Sequence, residues 1–279
     1  MGLKSFFHRL AGRKNTQQPP AANSNDTPVA TPEKLPRFFI HFSSIDDLPR
    51  IMEFYRENPH QNVCDRNDDL MRKLADEGSV IFVEDEKGKI YGASISYPLL
   101  REAGDTTVRE WVELGTTRMV VNGYPGLFDM MIAMQTLRAY LVEPPEDRFV
   151  CQMESAAVRK MAARLGFTPY TPTDEVVRIS DQTISAQYDS GKENWYSAGA
   201  EALPVMAALM CAALDKPHLT HQKTGERVVV DFSKSRFFHA FENEIRALAA
   251  RDIPNITDDP LQSKRVAENR NDWMKRYFR

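Results

Sequence analysis

Between an apolar strand-like run and an apolar helix, the stretch RMVVNGYPGLFDMM breaks at Asn122-Gly123-Tyr124-Pro125-Gly126. Two glycines and a proline there describe either a tight turn or a backbone loop at a helix N-terminus, whose N–H groups hold an anion such as a nucleotide pyrophosphate. Pro125 has no N–H and so trims the donor set. The strand leading in, WVELGTTRMVV, carries Glu113, which alternation places on the face of Gly115 and Thr117. A carboxylate at that place takes a proton from a bound group or sits on a solvated or salt-bridged face. Glu110 is the next such candidate. Ser155 precedes AAVRKM, where a helix N-cap is expected. His218 and His221 form His-x-x-His on a strand, which points them to opposite faces, so no metal site is expected. Cys151 lies in an apolar strand and reads as packing rather than as a nucleophile.

The chain has 279 residues, 42% hydrophobic and 27% charged, an ordinary globular composition. Its formal net charge of -3 offers no global attraction for nucleic acid or an anionic membrane. Three cysteines without metal-ligand spacing fit a reducing cytoplasm and no structural disulfide. No apolar run reaches the roughly 20 residues that span a bilayer, and the start lacks a secretory signal, so a soluble cytoplasmic protein is expected. Residues 1–14 place Phe6, Phe7 and Leu10 among basic residues, a pattern for weak contact with a membrane surface or a partner. The terminal run KRVAENRNDWMKRYFR interleaves basic and aromatic residues and reads first as a solvated helix with one docking face.

These residues need elements to position them. Residues 1–35 are a basic segment and a Pro/Asn/Thr-rich tether. Order is expected from Pro36: strand RFFIHF, a helix from Asp46 capped by Ser43-Ser44, and the helix DDLMRKLADEG. A hairpin turning at Asp-Glu-Lys-Gly follows, then the strand before the glycine loop, with a bulge or splay at Gly115. A helix from Leu127 to about Leu141 buries Met130, Met131 and Met134. Strand RFVCQM, a helix over 156–165 and a strand at EVVRIS complete a unit over 36–180. The order implies α+β with a mostly antiparallel sheet and one parallel pair at the crossover. Residues 181–279 read as a small helix–hairpin–helix appendage, with an Ala/Met-rich helix after Tyr196, a hairpin at Lys223-Thr224-Gly225, and helices over 234–250 and from about 260.

The loop, its strand and the later ESAAVRKMAARLGF together make residues 36–180 resemble the GNAT superfamily of acyl-CoA-dependent N-acyltransferases. The family loop Q/R-x-x-G-x-G/A falls here on Val121, Tyr124 and Gly126, of which the last matches. The second signature, N-x-x-A-x-x-L-Y-x-x-x-G-F, falls on Ser155, Val158, Met161 and Gly166-Phe167, with Ala162 where many members carry a tyrosine that protonates the departing thiolate. Thr116 to Val121 and the loop also resemble the acyl-homoserine-lactone synthases, which share the fold, as a minor alternative.

The resemblance implies a GNAT-like sheet, acetyl-CoA or another acyl-CoA as cosubstrate, and direct transfer of the acyl group to an amine. It implies backbone pairing of Met119, Val120 and Val121 with pantetheine amides, pyrophosphate binding by the N–H groups of Gly123, Tyr124, Gly126 and Leu127, and a pantetheine bond from Ser155. Glu113, then Glu110, becomes the base that removes the ammonium proton. The rival reading is a non-catalytic binding protein on the same fold. The acceptor amine is of unknown class, and a homodimer is left open.

Overall fold

The computed structural model of the chain describes residues 35–61, 63–64, 66–184 and 189–251. The basic start over 1–14, the tether and the terminal basic and aromatic run lie outside these residues. The compact unit that begins at Leu35 is built on one nine-stranded sheet. Its strands are β1 (Arg37–Phe42), β2 (Val80–Asp85), β3 (Ile90–Ala103), β4 (Thr106–Met119), β5 (Arg148–Gln152), β6 (Thr168–Pro169), β7 (Trp195–Ala198), β8 (His218–Thr220) and β9 (Arg227–Asp231). They lie in the order β6-β7-β5-β4-β3-β2-β1-β9-β8. β4 and β5 run parallel, as the crossover between them requires. A second parallel pair, β1 with β9, was not foreseen.

Seven helices flank the sheet among the described residues: α1 (Leu48–Glu57), α2 (Asp68–Asp76), α3 (Leu127–Val142), α4 (Ala156–Arg164), α5 (Asp174–Ile184), α6 (Leu203–Asp215) and α7 (Arg236–Ala249). The entry to α1 is a 3₁₀ turn, Ile45–Asp47, closed by a capping box between Ser44 and Asp47. Strand alternation divides the core. Ile81, Val83, Val112 and Leu114 pack with α3, α6 and α7, while Val80, Phe82, Ile95 and Tyr97 pack with α1 and α2. α3 is buried nearly all round, because α6 covers the side turned away from the sheet. Met130, Met131 and Met134 are core, at 1% exposure or less.

Three sequence expectations change. EVVRIS is the helix α5 and not a strand: Val176, Val177, Ile179 and Ser180 are buried, and Thr173 Oγ1 accepts the Val176 N–H at 3.3 Å. Its β-branched residues favour a strand locally, but burial against Leu99, Trp111 and Trp195 decides for the helix. The helix expected after Tyr196 is preceded by β7, which pairs with β5 through Cys151–Tyr196 and Gln152–Trp195. Residues beyond 180 thus join both sides of the sheet, β7 beside β5 and β9 beside β1. Among the described residues no helix is long and apolar enough to cross a membrane.

Candidate active site

β4 and β5 pair from Trp111–Arg148 to Glu113–Val150 and then separate. Beyond that point β4 stays with β3 as far as Met119, and β5 stays with β7 as far as Gln152. The parting coincides with a bulge. Thr116 is left-handed at φ 48°, and the β3–β4 register shifts between Ala93 and Ile95. The strain is held by three partners: the Tyr55 hydroxyl donates to the Thr116 carbonyl at 2.7 Å, Tyr97 Oη lies 2.5 Å from Thr116 Oγ1, and Arg66 Nε donates to it at 3.2 Å. The extra residue also changes parity. Thr117 Oγ1 meets Ser94 Oγ at 2.7 Å, and Ser94 donates to Gln135 of α3 at 2.8 Å. Glu113 and Thr117, expected on one face, therefore lie on opposite faces.

Where β4 ends, the glycine loop takes over. Gly123 and Gly126 both have φ 90°, which an L side chain resists, and Gly126 is the N-cap of α3. Among the described residues the N–H groups of Gly123, Tyr124, Gly126 and Phe128 have no hydrogen-bond partner, whereas Leu127 N–H reaches the Tyr124 carbonyl at 3.3 Å. The loop forms one wall of a cleft of about 550 Å³ whose other wall is α4. Arg118, Lys160 and Arg164 bring positive charge to it, and one carboxylate, Asp129, is bound by Arg164 at 2.9 and 3.0 Å. Unpaired N–H groups at a helix N-terminus with cations opposite make an anion site.

The cleft opens inward. His60, Val63, Thr117, Phe128, Ser155 and Val158 line both it and an inner cavity of about 150 Å³ in the gap between β4 and β5. The inner wall is apolar: Leu114, Ile132, Cys151, Ala162, Leu165 and Phe167 are each at most 8% exposed. Burial, and then the nearby Glu113, pushes the Cys151 thiol well up, so it stays protonated. Glu113 lies on the other face, beneath α5, where Ser180 Oγ donates to its Oε2 at 2.6 Å and Arg66 stands 3.7 Å from its Oε1. Burial raises its pKa against the opposing pull of Arg66 and Ser180. A Cβ added at Gly115, which lines the cavity, would sit 3.2 Å from Glu113 Oε1. Only a glycine's width thus separates carboxylate and cavity.

A strand that leaves its parallel neighbour at a mid-strand bulge and turns through glycines into a crossover helix decides the architecture. The arrangement is the GNAT-like one that the sequence resemblance implies. No protein-family model matches the chain, and no curated protein matches its sequence. Among solved structures, a mosquito arylalkylamine N-acetyltransferase-like protein is similar at 10% identity, covering 57% of this chain and 97% of its own, with a TM-score of 0.40. The diaminobutyrate acetyltransferase of Paenibacillus lautus, solved with its substrate and coenzyme A, is 11% identical over 58% of this chain and 94% of its own, TM-score 0.40. The ribosomal-protein-alanine N-acetyltransferase of Brucella melitensis is 18% identical over 46% of this chain and 83% of its own, TM-score 0.36.

Most of the residues expected from the sequence gather at the cleft. Gly123, Tyr124, Gly126, Met119, Val121, Leu127 and Ser155 all line the cleft. Val120 does not, and its N–H is spent on the Tyr91 carbonyl at 2.8 Å. Ser155 is the N-cap of α4, yet its side chain makes no cap bond, which leaves the hydroxyl to the cleft. Glu110 is remote: it forms an ion pair with Arg101 far out on the β3–β4 hairpin and lines neither the cleft nor the cavity. His221 and Gln222 brace the loop: the Gln222 N–H donates to the Gly123 carbonyl at 2.8 Å and the His221 ring meets Tyr124 edge-on. Sequence reasoning missed Arg66, Tyr97, Tyr55 and Lys160. Only Lys160, a cation one turn into the helix facing the loop, carried a signal at that level.

Proposed function

We propose that the chain is an acyl-CoA-dependent N-acyltransferase. The parting of β4 from β5 supports this most directly, because it joins an anion-binding loop to an inner cavity with an apolar wall through one continuous opening. The N–H groups of Gly123, Tyr124, Gly126 and Phe128, with Lys160 and Arg118, would hold the cofactor's phosphates, and Ser155 and Thr117 would meet the pantetheine arm. In that arrangement the thioester would lie at the bulge. An amine arriving from the α1–α2 and α5 side attacks the carbonyl carbon; the C–N bond forms, the C–S bond breaks, and CoA leaves as thiolate. Glu113 takes the ammonium proton across Gly115, directly or through water, and burial, which raises its pKa, makes it a stronger base than an exposed carboxylate. No tyrosine stands at Ala162 to protonate the thiolate. The Thr116 hydroxyl stands at the bulge 2.5 Å from Tyr97 Oη and could give the thiolate a proton, and burial, first of all, pushes the Tyr97 phenol up to about 12.

The same Ala162 favours a second reading, an acyl-CoA-binding protein that transfers nothing. Calorimetry with acetyl-CoA and free CoA, followed by a thiol-release assay across a panel of amines, separates the two. Micromolar binding with amine-dependent CoA release is the expected result. Binding without release supports the second reading, and no binding at millimolar cofactor defeats both.

A further inference from the structure

We propose that the acyl group is longer than acetyl: a chain of about four to six carbons, seated in the inner cavity beneath Ala162. The inference rests on the acyl-CoA reading of the site and narrows it to a substrate class. A space of about 150 Å³ is enough for a benzene-sized apolar guest. An acetyl methyl, close in size to a water molecule at ~30 Å³, would leave most of it empty.

Chemistry excludes the other occupants. The pantetheine arm carries two amides that need polar partners; Thr117 and Ser155, on the side shared with the cleft, can supply them, whereas the inner wall of Leu114, Ile132, Ala162, Leu165 and Phe167 carries no polar side chain. The acceptor amine must reach Glu113, which lies on the opposite face of β4 beneath α5. The cavity is instead continuous with the cleft through Thr117, Ser155 and Val158, so what enters it is attached to what the cleft holds. Ala162, 3% exposed and on the cavity wall, sets the depth, because any larger side chain there grows into the space.

The test is a chain-length series of acetyl-, butanoyl-, hexanoyl- and dodecanoyl-CoA, with free CoA, titrated by calorimetry into the wild-type chain and into Ala162→Phe. Each buried methylene changes affinity by about fourfold. Wild type should bind hexanoyl-CoA at least tenfold more tightly than acetyl-CoA, with no further gain at twelve carbons. Ala162→Phe should erase that preference and leave free-CoA affinity within about twofold, which shows that the fold and the phosphate site survive. Should Ala162→Phe fail to fold, Ala162→Leu takes its place and the wild-type series still decides. Equal affinity for acetyl- and hexanoyl-CoA, or a preference unchanged in the filled variant, overturns the inference but not the acyl-CoA reading. Absence of binding by free CoA and every thioester overturns both.

Discussion

Replacing Glu113 by Gln tests the mechanism where its parts meet. The carboxylate is 5% exposed, accepts a hydrogen bond from Ser180 at 2.6 Å and stands 3.7 Å from Arg66. The amide keeps the shape and the Ser180 bond and gives up the charge. Burial raises the Glu113 pKa in the folded chain, so between the unfolded value and that raised value the native state binds the extra proton. Stability from this group accordingly falls as pH rises through that window. Glu113→Gln should therefore be neutral or slightly stabilising at pH 7, within about 1 kcal/mol, since the lost ion pair with Arg66 offsets the relief of a buried charge. Activity should move the other way. General-base removal typically costs 10²- to 10⁴-fold, or about 3 to 5 kcal/mol of transition-state stabilisation. In wild type, kcat/KM should climb with pH along an acid limb placed above the ordinary glutamate range, and in the variant that limb should vanish. The assays are a pH–rate profile by thiol release and a thermal melt of both chains. An unchanged limb with kcat/KM within threefold of wild type would refute the assignment and leave Glu113 as a buried prop for Arg66.

Three further outcomes follow from the geometry. Gly126→Val forces a branched side chain to φ 90° at the N-cap of α3 and should weaken CoA binding at least tenfold by calorimetry; retained affinity would remove the loop from the site. In Gly123→Ala the new Cβ would lie 2.2 Å from His221 Nε2, at a φ of 90°, so the melting temperature should fall by several degrees, and His221→Ala should restore part of it. Glu84, 2% exposed, accepts hydrogen bonds from His41, Lys234 and Arg50. Burial alone would raise its pKa, yet these partners hold it at about 2 against an ordinary 4.5. Its contribution, roughly 3 kcal/mol, is fully present above the unfolded pKa and is lost as pH falls toward the folded one. Glu84→Gln should flatten the acid side of a urea-stability profile between pH 5 and about 3; an unchanged slope there would disprove the linkage.

Local pattern made much of this fold legible. β1 to β5, α1 to α4 and the parallel β4–β5 pair follow from periodicity, capping and turn residues, because each is decided by side chains close in sequence. α5 escaped because EVVRIS has strand composition, and only its burial against β3, β4 and β7 turns it into a helix. β7 escaped because a four-residue strand beside a polar loop has almost no period to read. In the site, Gly123, Gly126 and Glu113 were visible by type and spacing. Arg66 was not, since its partners Tyr97, Thr116 and Thr183 lie 31, 50 and 117 residues away. Glu110 misled because alternation carries no information on how far a strand runs from the point where it parts from its neighbour.

The His221–Gln222 turn gives the glycine loop a place in time as well as in space. Ribosomal synthesis runs from the N-terminus, and the loop at 122–126 is made about a hundred residues before the turn whose N–H holds the Gly123 carbonyl. β1 likewise waits for β9 to complete its parallel partner, Phe38 against Val230. Contacts so distant in sequence form late and slowly. A nascent chain should hold its central hairpins well before it can retain a nucleotide, and competence to bind should appear only once residues beyond Val230 have cleared the exit tunnel.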